Sequence, residues 1–118
     1  MELTNSFDVA RSIDETWAVL TDVERIAPCL PGAQLQEIDG DEYRGIVKVK
    51  VGPITAQYKG AASFAQKDDD VHKAVLDAKG RDTRGAGNAE AVITAQLEAV
   101  DDGTTRVDVF TDLKVTGK

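Results

Sequence analysis

Hydrophobic and polar residues alternate along most of this chain, and the alternation predicts β-strands. Residues 87–99 are the most informative case, because one side of that strand carries only small or aliphatic residues. Ala and Gly are poor strand formers, and an ordinary interior is filled with larger side chains. This side therefore predicts either a bulky element packed close to the sheet or space for a ligand. Its residues are Gly87, Ala89, Ala91, Ile93, Ala95, Leu97 and Ala99.

The same pattern predicts a first strand at residues 3–9 and six further strands between residues 33 and 115. Short turns join the six strands, and short connections favour antiparallel neighbours. The strand-free stretch between strands 1 and 2 is helical in pattern. The order predicts an α+β domain: a curved seven-stranded antiparallel sheet with two short helices between strands 1 and 2.

Capping signals mark the two helices. Ser12-Ile-Asp-Glu15 has the form of a capping box, and it opens a helix with Trp17 on its apolar face. Asp22 is expected to cap a second short helix that Pro28 ends. Pro31-Gly32 has the form of a type II turn that leads into strand 2.

Composition narrows the classes of function. A chain of 118 residues is one domain, and its net charge of −7 disfavours nucleic acid as a partner. A single cysteine excludes an internal disulfide and fits a reducing compartment. With no stretch long enough to span a membrane, we expect a soluble cytoplasmic protein.

Residues with catalytic chemistry are few. With one His and one Cys, a metal site has little support. Cys29 fits a small buried hydrophobic residue at a turn, with a nucleophile as the alternative. His72 reads as a strand residue at the sheet rim, with a general base as the alternative. Asp68, Asp69 and Asp70 read as a solvated turn. Residues 80–87 are glycine-rich, but they precede a strand rather than a helix, so a hairpin bend is favoured over a phosphate cradle.

Five motifs occur in order along the chain: Phe7-Asp-Val with Thr16-Trp17, Cys29-Leu-Pro-Gly32, Val51-Gly-Pro53 with Tyr58-Lys-Gly60, Gly80-Arg-Asp with Gly85-Ala-Gly87, and Thr104-Thr with Asp112-Leu-Lys-Val-Thr-Gly117. In this order they resemble the CoxG family of carbon monoxide dehydrogenase subunits, within the START-like (SRPBCC) superfamily, over essentially the whole chain. The resemblance implies a single helix-grip domain over residues 1–118. The long C-terminal helix of that fold is absent from this chain, so we expect the domain to be truncated and to self-associate, swap segments or capture a hydrophobic ligand.

The small inner residues together with the resemblance predict an apolar ligand cavity, in which Tyr58 offers one polar group. For each of these residues taken singly, a place in the ordinary hydrophobic core is the alternative to a place in a cavity wall. The predicted walls are Val47, Val49, Tyr58, Ala62, Phe64, Leu76, Ala89, Ala91, Ile93, Ala95, Val109 and Leu113, with Trp17 and Ile26 at one end.

The resemblance implies a non-enzymatic accessory of the aerobic, molybdenum-containing carbon monoxide dehydrogenase, located at the inner face of the cell membrane. We expect an isoprenoid quinone such as menaquinone as ligand, no covalent cofactor, and membrane contact through a segment beyond Lys118. A pure recruitment adaptor without a ligand is the first alternative. An enzyme of the polyketide cyclase or hydrolase type is the second.

Overall fold

The computed structural model describes residues 2–27, 32–51, 53–85 and 87–117. It confirms the predicted fold: a curved, open, seven-stranded antiparallel sheet with two short helices after the first strand. The elements are β1 (Glu2–Val9), α1 (Ile13–Leu20), α2 (Val23–Ile26), β2 (Ala33–Asp39), β3 (Glu42–Val51), β4 (Ile54–Asp68), β5 (Lys73–Asp82), β6 (Gly87–Asp101) and β7 (Thr104–Gly117).

Strand order in the sheet is β1-β7-β6-β5-β4-β3-β2. Strands β2 to β7 form a meander, and β1 pairs with β7, from Glu2 opposite Asp112 to Val9 opposite Thr105. The two helices therefore connect one edge strand of the sheet to the other. The β2–β3, β4–β5 and β6–β7 turns share one end of the sheet, which we call the helix end because α1 packs there. The β3–β4 and β5–β6 turns share the other end, which we call the open end.

Helix α1 begins as predicted at Ser12, whose hydroxyl accepts a hydrogen bond from the Glu15 backbone N–H at 3.2 Å. The Glu15 carboxylate accepts from the Ser12 hydroxyl at 3.2 Å, which departs from the reciprocal side-chain-to-backbone bond of a full capping box. Asp22 occupies the N-cap position of α2, but its side chain makes no capping bond. Pro28, Cys29 and Pro31 lie outside the described residues, so the predictions on them stay predictions.

The β4–β5 turn differs from the sequence prediction. Strand β4 continues to Asp68, and His72 lies in the turn rather than in a strand, with a positive φ of 54°. The His72 carbonyl accepts a hydrogen bond from the Leu97 backbone N–H at 3.0 Å, so this turn is tied back onto β6. The sequence prediction placed His72 in the strand because His72 falls on the same alternate positions as Ala74, Leu76 and Ala78.

The core lies where α1 packs against the helix end of the sheet. Trp17 from α1 meets Ala74, Leu97 and Val107, and Val9, Ile13, Leu20, Phe64 and Val109 pack around them. The buried Thr105 hydroxyl donates to the Arg11 carbonyl at 2.9 Å, which fixes the chain just before α1. Among the described residues, no helix has the length and hydropathy needed to cross a bilayer.

Candidate functional site

Strand register places the predicted wall residues of the sheet on one face, the side on which α1 lies, and we call it the inner face. Ala62, Ala78, Ala91 and Leu113 form one row across four strands. Phe64, Leu76 and Ile93 form the next row toward the helix end.

The remaining wall residues fall on either side of these two rows. Ala95 pairs with Ala74 and Val109, while Val47 pairs with Tyr58. Ala89 lies opposite Val115 near the open end. Val49 pairs with Ala56 on the same alternation, but its side chain lies outside the described residues.

The structure does not bring all the predicted residues together. Trp17 belongs to the core at the helix end, where it is 8% exposed. Ile26 lies half-buried on α2, beside α1. The Ala62–Leu113 row lies farther along the sheet, toward the open end.

Beyond α1 the inner face is an open apolar trough. Ala89, Ala91, Ile93 and Leu113 are only half-buried, and at the open end Val47 is 44% and Val115 56% exposed. An uncovered apolar surface of this kind marks a binding or packing site. The ligand role of these residues stays a prediction.

Two surface depressions lie away from the trough. One, of about 290 Å³, is formed around Phe110 on the opposite, outer face, and Val109 is the predicted wall residue that reaches it. The other, of about 340 Å³, lies at the helix end between Thr21, Glu24, Tyr43 and Lys67. The second depression is lined mainly by polar atoms.

A row of glycines shapes the trough, and sequence reasoning did not single it out. Gly45, Gly60 and Gly80 lie opposite one another on β3, β4 and β5. A Cβ on Gly60 would overlap the Lys79 carbonyl oxygen, and one on Gly45 would overlap that of Gln34. No side chain fits at those two positions, so the close approach of neighbouring strands requires glycine there. The matching register of three glycines on adjacent predicted strands was the available signal.

Aromatic and polar groups cluster at the helix end rather than in the trough. The Trp17 indole N–H donates to the Asp69 carboxylate at 2.8 Å, and its ring meets His72 edge-on at 5.5 Å between centroids. His72 Nε2 lies 3.4 Å from Asp14 Oδ1. These contacts pin α1 to the β4–β5 turn, so the geometry gives His72 a structural part. Tyr43, which sequence reasoning passed over, meets Phe64 edge-on at 6.2 Å on the inner face.

The glycine-rich stretch at residues 80–87 is a hairpin bend, shorter than predicted because β5 runs on to Asp82. The Asp82 side chain accepts from the Arg84 N–H at 2.9 Å, and Gly85 has a φ of 74°. Ala86 lies outside the described residues. The described part of the chain holds no group of three or more His, Cys, Asp or Glu side chains suited to a metal ion.

Solved structures share this fold. A conserved protein from Geobacillus kaustophilus is similar at a TM-score of 0.83 and 19% identity, over 100% of this chain and 76% of that one. The Zhui aromatase/cyclase from Streptomyces sp. R1128 gives 0.66 and 15%, over 100% and 70%. A norcoclaurine synthase mutant from Thalictrum flavum gives 0.68 and 16%, over 98% and 76%. No curated protein sequence matches the chain.

At such low identity these likenesses establish the fold alone, which is the helix-grip fold. The chain belongs to the CoxG family of carbon monoxide dehydrogenase subunits, whose profile matches residues 6–118. That is a family of accessory subunits, and membership implies association with carbon monoxide dehydrogenase.

Proposed function

We propose that this chain is a non-enzymatic accessory of aerobic carbon monoxide dehydrogenase that binds an isoprenoid quinone, such as menaquinone, on its inner face. The observation that carries the proposal is the uncovered row of small apolar residues from Ala62 to Leu113. By carrying the quinone, the chain links the enzyme to the respiratory membrane.

The physical support for this proposal is the small size of the side chains along the trough. Ala62, Ala78 and Ala91 lie opposite one another across three strands, where larger residues would fill the space beside the sheet. An isoprenoid tail laid there would remove apolar surface from water on both partners. Each 100 Å² so buried contributes about 2.5 kcal/mol before ordering costs.

Tyr58 supplies a polar group beside this surface. It is half-buried, opposite Val47 on one side and Asp82 on the other. A quinone head group carries carbonyl oxygens that accept hydrogen bonds, so a phenol near the open end suits it. The head group would then lie toward the open end and the tail along the alanine row.

Organic extraction of the purified protein, followed by mass spectrometry against a mock purification, tests the proposal. A prenyl quinone enriched near one per chain is the expected result. A clean extract, from protein that also fails to bind added menaquinone, would overturn it and leave the recruitment adaptor as the better account.

A further inference from the structure

The two ends of the sheet carry opposite charge, because the Asp-rich hairpin turns all lie at the helix end. The three turns at the helix end, together with the last residues of the strands that lead into them, contain Asp39 and Asp41, the run from Asp68 to Asp70, and Asp101 with Asp102. Asp14, Glu15, Asp22 and Glu24 add to that end from the helices. The net charge of −7 hides this segregation.

The open end is basic. Six exposed cations lie on β3, β4, β5 and β7 and in the β5–β6 turn: Lys48, Lys59, Lys79, Arg81, Arg84 and Lys114. Lys59 lies directly opposite Arg81 on the outer face. Like charges in that relation destabilise a sheet, so the pair costs folding free energy.

Few carboxylate side chains lie near these six cations. Among the described residues, none of the six cations has a carboxylate oxygen within 4.0 Å. Glu90 lies between Lys79 and Lys114 in the register, and Asp82 turns its side chain onto the Arg84 N–H. Asp77 and Asp112, one row farther along the outer face, begin the acidic part.

Arg44 is a contrasting cation on the same face. Its guanidinium lies 2.9 Å from Glu42, 3.2 Å from Asp39 and 3.5 Å from Glu37. The hydrogen bond from Arg44 to Glu42 raises the pKa of the guanidinium. The three carboxylates outweigh its single positive charge, whereas the six exposed cations of the open end have no such ion pairs among the described residues.

We propose that the basic open end of the folded domain docks on the anionic phospholipid surface of a bilayer. The proposal rests on the quinone-carrier function above, since docking in this orientation brings the trough to the membrane that holds the quinone. Membrane contact then comes from the folded domain itself.

The surroundings of the cations favour a lipid surface over an acidic protein. The β3–β4 hairpin carries no charged residue from Val51 to Tyr58, and it extends past the end of β5. Exposed Val47 and Val115 lie at the same end. A bilayer offers anionic headgroups to the cations and an apolar layer to these residues, whereas the acidic helix end would be repelled and so orient the molecule.

Co-flotation with quinone-free vesicles tests this docking. We expect the wild-type chain to float with phosphatidylglycerol–phosphatidylcholine vesicles, to ignore pure phosphatidylcholine, and to dissociate at high salt, since charge attraction is screened within about 10 Å at 0.1 M. Each cation near an anionic membrane strengthens binding about fivefold, so Lys59→Gln with Arg81→Gln should weaken it about 25-fold.

The controls separate docking from folding and from quinone binding. Arg11→Gln with Lys67→Gln changes the net charge equally at the helix end and should leave flotation unchanged. Removing the Lys59–Arg81 repulsion should not unfold the domain, and the open-end variant should bind menaquinone in detergent as the wild type does. Equal flotation of both double variants, or of wild type with both vesicle types, would overturn the proposal. If the wild type does not bind the anionic vesicles, and the open-end variant no longer binds the dehydrogenase, this surface would be assigned to an acidic protein instead.

Discussion

The two halves of the inner face share strands, alternation and residue types, yet they differ in what covers them. At the helix end Leu97 is 3% and Val107 1% exposed, because Trp17 from α1 lies on them. Four residues back along β6, Ile93 is only half-buried, and so is Ala91 beyond it. Burial along this sheet is thus decided by α1, while the strand pattern decides only which face each residue shares. The helix end holds the packed core, and the proposed quinone site lies on the half that α1 does not cover.

The largest effect should separate the two halves within a single strand. Leu97→Ala should lower the free energy of unfolding by about 3 kcal/mol, because it opens a cavity in the packed cluster. Ile93→Ala, on the same face, should cost about 1 kcal/mol, since it already contacts water. Urea denaturation of both variants measures the difference. Equal losses would mean that the open half is packed as tightly as the helix end.

Filling the open half should affect binding more than stability. Ala91→Leu projects into the trough beside Ala78 and Leu113, and we expect menaquinone affinity to fall about tenfold, or about 1.4 kcal/mol. Val92→Leu is the matched control, because the neighbouring residue lies on the outer face. A titration followed by Trp17 fluorescence measures both. If folded Ala91→Leu bound menaquinone like the wild type, the ligand would not lie on this row.

Weakening α1 should reduce the contrast between the halves. Ser12→Ala removes the hydroxyl that accepts from Glu15, at a cost of about 1 kcal/mol. Amide exchange should then quicken at Leu97 and Val107 but not at Ala91. Ser6→Ala, an exposed serine on β1, serves as the control. Uniform acceleration along β6 would mean that α1 supports the whole sheet rather than one end.

The smallest effect concerns the contact between α1 and the β4–β5 turn. Asp14→Asn removes the carboxylate 3.4 Å from His72, and since Asp14 is highly exposed, the loss of unfolding free energy should stay under about 0.5 kcal/mol. Chemical denaturation at neutral pH measures it. A loss above about 1 kcal/mol would be surprising for so exposed a pair.

Much of the fold could be predicted, because alternation of period two reports directly which strand face a residue occupies. The row from Ala62 to Leu113 follows from that alternation once the strands pair. The pairing of β1 with β7 could not be read locally, since it joins residues as far apart in sequence as Glu2 and Asp112. His72 was misplaced because a left-handed turn residue leaves no mark in an alternating pattern.

The site was harder to predict than the fold. Whether Ala91 faces a packed element or open space depends on how much of the sheet α1 covers. The sequence of this eight-residue helix does not predict its position on the sheet. Charge segregation was equally invisible in the net charge. It becomes apparent only when the sheet is assembled, because alternate hairpin turns then lie at the same end.

The pairing of β1 with β7 also constrains how the domain folds. Glu2 pairs with Asp112, so this sheet edge forms only after residue 112 has left the ribosome. Contacts this distant in sequence slow folding, because a large loop must close before they contribute. The β2–β7 meander can form earlier from neighbouring hairpins, and Val9 and Trp17 must then find β7 before the core is complete. Until β1 is in place, the free edge of β7 is open to pairing with another chain.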